Sequence, residues 1–160
     1  TRAHPGLRYL IVGGPSPEGD MTDALLAQVK RLGLEKTVVF LGAMPSRELK
    51  NPLSAADVFV LATRNEGWAN VFLEAMACGV PVVTTDVGGN REVVCRDDLG
   101  AIVPFDDAAA LTEALHAAIQ RPWDRSCIVA HAQRHAWDGR VAVLCDEFAR
   151  LAVASIEGAR

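Results

Sequence analysis

A doubly wound α/β fold, Rossmann-like with three α/β/α layers and about five parallel strands, is what this sequence predicts, and three observations predict it. Short apolar runs rich in β-branched residues recur through the first two thirds of the chain. Segments with apolar residues at three- and four-residue spacing separate them, and Gly, Pro, Asn and Asp mark the joins. Strands without polar alternation are covered on both faces, as in a parallel sheet whose right-handed crossovers lay helices across it. At 160 residues and 17.1 kDa, with 50% apolar residues, the whole of 1–160 is expected to form one domain around one core.

The elements follow in order. Leu7 to Val12 reads as a buried strand that opens into Gly13-Gly14-Pro15. Asp20 caps a helix carrying Leu25, Leu26, Val29 and Leu32, and Gly33 stops it before a second strand, Thr37 to Leu41. A short helix around Ser46 to Ala55 precedes the third strand, Asp57 to Ala62, and a helix from about Asn70 to Cys78 precedes the fourth, Pro81 to Thr85. Gly100 to Val103 is the fifth strand. Beyond it the pattern is helical: Ala108 to Gln120, Arg125 to His135, and Trp137 to about Ala154 with an apolar stripe of Val141, Leu144, Phe148 and Leu151 that reads as core. Ligands of such sheets bind beyond the carboxyl ends of the strands, so the loops after Val12, Leu41, Ala62 and Thr85 are where function is sought.

Composition excludes several classes. A net charge of −4, a pI near 5.5 and 16 scattered basic residues leave no footprint for nucleic acid. No run reaches the roughly 18 apolar residues of a membrane span, and Thr1-Arg2-Ala3-His4-Pro5 has neither a signal core nor an initiating Met. The expectation is a soluble, cytoplasmic piece of a longer protein. Cys78, Cys95, Cys127 and Cys145 form no C-x-x-C pair and read as reduced thiols. His116, His131 and His135 fall in helical stretches and read as surface or core filler, not ligands.

Chemistry concentrates after the third strand, in Thr63-Arg64-Asn65-Glu66-Gly67-Trp68-Ala69-Asn70, which enters a helix beginning Val71-Phe72-Leu73-Glu74. Unpaired N–H groups at a helix start suit phosphate oxygens. Glu66 and Glu74 flank that anion site. Two carboxylates do not help a bare phosphate, but they can accept hydrogen bonds from adjacent hydroxyls, so the combination points to a sugar attached to a phosphate. Acidic residues at a helix start also simply complement its dipole, and spacing alone does not separate the two readings. Trp68 can stack on a sugar face or pack on its own loop. Gly88-Gly89-Asn90-Arg91-Glu92 can form an anion-facing turn before a short helix, with Arg91 either near a phosphate or solvated. Gly13-Gly14-Pro15 lacks the third glycine and helix entry of a dinucleotide fingerprint, so a nicotinamide role is not expected.

The run Glu66-Gly67-Trp68-Ala69-Asn70-Val71-Phe72-Leu73-Glu74-Ala75-Met76-Ala77-Cys78-Gly79-Val80-Pro81-Val82-Val83, with its paired glutamates, resembles the signature of the family 4 retaining glycosyltransferases of GT-B fold. Tyr9-Leu10-Ile11-Val12-Gly13, Val39-Phe40-Leu41-Gly42, Ala56-Asp57-Val58-Phe59-Val60-Leu61, Asp86-Val87-Gly88-Gly89 and Trp137 agree in the family's order, so the resemblance covers most of the chain.

It implies the C-terminal, donor-binding domain of such an enzyme, taking a nucleotide diphosphate sugar. Glu66 would meet the donor sugar near its anomeric centre, as the catalytic residue, and Glu74 would hold the ribose. Gly67, Trp68, Ala69, Asn70 and Val71 would line the sugar and phosphate. Gly13 and the Leu41–Pro45 loop, with Met44, would edge the nucleotide. No cofactor or metal is implied, because basic side chains and helix N-termini neutralise the leaving diphosphate.

Two departures stand out. The family's strand and helix with a diphosphate-gripping Arg and Lys precede the segment matched here, and so does the acceptor-binding N-terminal domain; in the family the final helix reaches back toward that domain, which would leave part of its stripe exposed here. The isolated chain is therefore expected to be inactive, with a non-catalytic nucleotide-binding or assembly module as the alternative reading. The full-length protein has room for peripheral membrane association, and the oligomeric state is not indicated. With a central strand missing from the order 3-2-1-4-5-6, closure of the gap would give a five-stranded sheet of order 2-1-3-4-5.

Overall fold

The computed structural model describes residues 4–15 and 19–157; the first three residues of the Thr1–Pro5 start lie outside it. The elements run β1 (Tyr9–Val12), α1 (Thr22–Arg31), β2 (Val38–Gly42), α2 (Ser46–Ala55), β3 (Phe59–Leu61), α3 (Asn70–Ala77), β4 (Val82–Thr85), α4 (Asn90–Val93), β5 (Gly100–Val103), α5 (Ala108–Gln120), α6 (Arg125–Arg134) and α7 (Trp137–Glu157). The α/β alternation, the parallel pairing and the helical C-terminal part are as expected. The chain divides into two compact units, Thr1–Pro52 and Leu53–Arg160.

In the first unit β1 pairs with β2 from Tyr9↔Val38 to Val12↔Gly42, with a register shift between Ile11 and Val12. The expected cap is displaced by one residue: the N-cap is Met21, which makes no side-chain bond, and Asp20 before it accepts from the Thr22 N–H at 2.9 Å at the start of α1. Its apolar stripe is not core: Leu25, Leu26 and Leu32 stay 38%, 46% and 55% exposed.

In the second unit the order is β3-β4-β5, all parallel, in register at Phe59↔Val82 and Val82↔Gly100. The five strands therefore form two sheets, and the expected 2-1-3-4-5 sheet is not what forms. Among the described residues β1 pairs only with β2 and β3 only with β4, so the ladder hydrogen bonds that would join the two sheets are not made.

The buried apolar residues all lie from Leu53 onward. All four residues of β4, VVTT, are buried, because this strand is central and helices cover it. Phe72, Ala75 and Met76 of α3 are fully buried at helical spacing, with Phe72 edge-on to Phe59 at 6.2 Å. The same spacing turns Asn70 and Glu74 outward. Gly79 has φ 73° and ends α3 in a double hydrogen bond, Gly79 N–H to Met76 carbonyl and Val80 N–H to Ala75 carbonyl, the motif that glycine permits at a helix end. α3 packs on α6 and β4, and α5 packs on β4 and β5. The α7 stripe does not join this core: Val141, Leu144, Phe148 and Leu151 are at least half exposed. Among the described residues no helix is long and apolar enough to cross a membrane.

His131 on α6 is buried among these elements, which settles its reading as core. Its Nε2 lies 3.1 Å from the Val93 carbonyl and donates to it, so Nδ1, 3.4 Å from the Arg134 guanidinium, is the acceptor of a neutral ring. Burial pushes the His131 pKa below its ordinary 6.5, helped by the neighbouring His135 and Arg134. The folded state thus keeps the ring neutral while the unfolded chain takes up a proton below about pH 6.5. Stability is fully present above that pH and falls as the pH drops toward the lowered folded value. The urea midpoint should decrease between pH 7.5 and 5.5, and His131→Gln should flatten this part of the profile.

Candidate functional site

The loop between β3 and α3 carries most of the residues singled out from sequence, and its shape is set from the β4 side. The ladder of β3 with β4 ends at Leu61↔Thr84. Past it, the Thr84 hydroxyl donates to the Leu61 carbonyl at 2.8 Å and the Thr85 hydroxyl to the Thr63 carbonyl at 2.6 Å. Thr63 then closes a local turn through its own hydroxyl, which donates to the Asn65 carbonyl at 2.9 Å. Next in the loop is Glu66.

The turn after β4 holds the following residues by contact. Gly88 has φ 49°, and a Cβ on it would overlap the carbonyl of Glu66; a Cβ on Gly89 would overlap the carbonyl of Gly67. The Gly88-Gly89 pair therefore allows two backbones to meet where no other residue fits. Trp68 lies over Gly89 and is tilted against His135 with ring centroids 6.3 Å apart, so it packs on the turn after β4 and the end of α6, and not only on its own loop as expected.

The helix that follows starts without a side-chain cap. Its N-cap is Ala69, 5% exposed, where Ser, Thr, Asp or Asn would normally bond the first amides. The Phe72 N–H bonds the Ala69 carbonyl at 3.0 Å, so the amides of Asn70 and Val71 are the ones left to a ligand or solvent. Glu66 is half-buried at the loop and Glu74 exposed in the second turn of α3, with Asn70 one turn before it on the same exposed stripe and Val71 half-buried. The arrangement offers helix amides for an anion and two carboxylates for hydroxyls. Arg64 lies in the same loop with its guanidinium 5.8 Å over the Phe105 ring.

The other predicted residues, Gly13, Leu41 and Met44, belong to the first unit. The Gly13 N–H donates to the Gly42 carbonyl at 3.0 Å, which brings together the loops that leave the parallel strands β1 and β2. Leu41 is 40% exposed and Met44 half-buried.

Several sequence readings are now resolved. The Arg91 side chain is 69% exposed and engaged by Asp86 in a two-pronged ion pair at 2.6 Å, which lowers the Asp86 pKa, so of its two readings the structure shows the solvated one. Asp98, accepting from the Cys127 thiol at 3.3 Å, raises that thiol's pKa and makes it a poor nucleophile. All four cysteines are free. Among the described residues no three His, Cys, Asp or Glu side chains gather as a metal site. Sequence reasoning missed Thr84, Thr85 and Asn90. The signal was there: two hydroxyls end a strand that is otherwise apolar and fully buried.

Comparison with known proteins gives this geometry its context. The family described as glycosyl transferases group 1 matches residues 1–135. The D-inositol 3-phosphate glycosyltransferase of Saccharomonospora viridis is 35% identical over 99% of this chain and 38% of its own length. Among solved structures, the sucrose-phosphate synthase of Thermosynechococcus elongatus superposes with a TM-score of 0.79 at 30% identity, over 91% of this chain and 38% of that one. Anabaena HepE in complex with UDP superposes with a TM-score of 0.74 at 27% identity, over 94% of this chain and 42% of that one. The chain thus spans well under half the length of these relatives.

Gly88→Ala is expected to destabilise the chain by about 1–3 kcal/mol, because the new methyl group must push the Glu66 carbonyl aside. Urea denaturation measures this. Gly6→Ala, where a Cβ meets nothing within 4 Å, should leave the midpoint unchanged.

Proposed function

The chain belongs to the group 1 glycosyl transferases, and we propose that it is the donor-binding domain of a retaining, family 4 enzyme whose acceptor site lies in the rest of the full-length protein. The observation that carries this reading is the uncapped start of α3 between Glu66 and Glu74, the arrangement a phosphate-linked sugar needs. The complexes of Anabaena HepE with UDP and with UDP-glucose support a uridine nucleotide sugar as the first donor to try.

In this reading the diphosphate sits at the helix start, where the dipole and the amides of Asn70 and Val71 offset its charge. Glu74 accepts hydrogen bonds from the ribose hydroxyls. Glu66 accepts from hydroxyls of the transferred sugar and stays beside the anomeric carbon as positive charge develops there. Gly67, Trp68 and Ala69 supply the wall of the sugar site through their backbone. Gly13, Leu41 and Met44 are assigned to the nucleotide by resemblance. Transfer needs no resident cofactor or metal: helix amides and basic side chains of the full-length protein neutralise the leaving diphosphate.

Hydrogen bonds to a charged group are worth about 1.5–3 kcal/mol each. Glu74→Ala should therefore weaken UDP and UDP-glucose alike by about 10- to 100-fold, whereas Glu66→Ala should remove only the extra affinity that glucose adds. NMR titration of the labelled chain reads both. Equal losses of UDP affinity in the two variants would contradict the assignment, and no shifts with any nucleotide would mean that the chain is inert by itself and that the function resides in the full-length protein.

A further inference from the structure

Asn90 opens α4 and is completely buried, as is Thr84, while Thr85 is 4% exposed. The Asn90 carboxamide nitrogen donates to the Thr84 hydroxyl at 3.1 Å and to the Thr85 carbonyl at 2.9 Å. Thr84 spends its single proton on the Leu61 carbonyl, so its oxygen must accept from Asn90. The direction is fixed: amide N–H to hydroxyl, hydroxyl to carbonyl. A flipped amide would set its oxygen against the Thr85 carbonyl, acceptor to acceptor. Each bond in such a chain polarises the next.

The amide oxygen of Asn90 is buried without a partner, which costs stability. The two hydrogen bonds of the amide nitrogen offset that cost, and both go to the end of β4. What the side chain does is hold the end of β4 in the posture in which Thr84 and Thr85 reach the Leu61 and Thr63 carbonyls. Thr63 lies three residues before Glu66, with one turn between closed by its own hydroxyl, and the Glu66 carbonyl rests on Gly88 of the same β4–α4 segment. Glu74, in contrast, is placed by α3, through buried Phe72, Ala75 and Met76.

We propose that Thr84, Thr85 and Asn90 are positioning residues that set the placement of Glu66, and thereby the discrimination between a sugar nucleotide and the free nucleotide. The discrimination rests on the assignment of Glu66 to the donor sugar; the positioning does not. The network touches no ligand itself and acts through the loop backbone.

The test uses the 160-residue chain with Thr85→Val and Asn90→Leu, which remove the donors but keep bulk, and Thr85→Ser, which restores the hydroxyl. Backbone amide order parameters measured without ligand should fall at residues 63–67 in the first two variants, with α3 and α5 unchanged and Thr85→Ser like wild type. In titrations, UDP affinity should stay constant while the advantage of UDP-glucose over UDP shrinks severalfold. Unchanged order parameters at 63–67, or an equal fall throughout the second unit, would overturn the proposal, as would parallel losses of UDP and UDP-glucose affinity. If wild type shows no preference for UDP-glucose, the sugar role of Glu66 fails, and the relaxation experiment still decides the positioning. Should Asn90→Leu fail to fold, the Thr85 pair carries the test.

Discussion

Two backbones meet at the candidate site more closely than any side chain would permit: the carbonyls of Glu66 and Gly67 rest on Gly88 and Gly89. A peptide surface cannot be approached this way unless the facing residues lack a Cβ, and the turn after β4 provides two in succession. That contact fixes where the β3–α3 loop can run. Given the loop's path, the half-buried carboxylate of Glu66, the seat of Trp68 over Gly89 and the entry of the chain into α3 all follow. The same turn leads into α4, where Asn90 reaches back to the end of β4, so one short segment holds the loop by contact and by hydrogen bonds.

The two glutamates are supported by different means. Glu74 belongs to a helix whose other face is core and whose end is fixed at Gly79, so its position is as rigid as the second unit itself. Glu66 belongs to a loop, and loops hold a defined course only where their backbone groups find partners. Leu61 and Thr63 find theirs in the hydroxyls of Thr84 and Thr85. Support divided in this way leaves the helix residue fixed while the course of the loop depends on the residues behind it.

Apolar surface outside the core is a further property of the chain. The stripe of α7 and much of α1 remain open, although both have the spacing of core-facing helices. Periodicity shows that one face of a helix is apolar; it does not show that a partner is present to cover it. The same holds for the strands, which have the apolar character of a continuous sheet yet form two separate ones.

The order of elements, the parallel class of the sheets and the Glu66–Glu74 segment were all legible in sequence, because each depends on local pattern: apolar runs, helical spacing, glycines at helix ends and carboxylates at a helix start. The stop at Gly33 was legible for the same reason. What depends on groups distant along the chain was not. Thr84 meets Leu61 across 23 residues, Gly88 meets Glu66 only once β3 and β4 lie side by side, and Arg91 is taken by Asp86 instead of facing a ligand. Sequence by itself determined which functional groups stand on the Glu66–Glu74 segment and how they are spaced, since that is a matter of residue types along one loop and the helix it enters. Only the tertiary structure decided how those residues are held, because hydrogen bonds and close backbone contacts between strands exist only after the chain has brought its distant parts together.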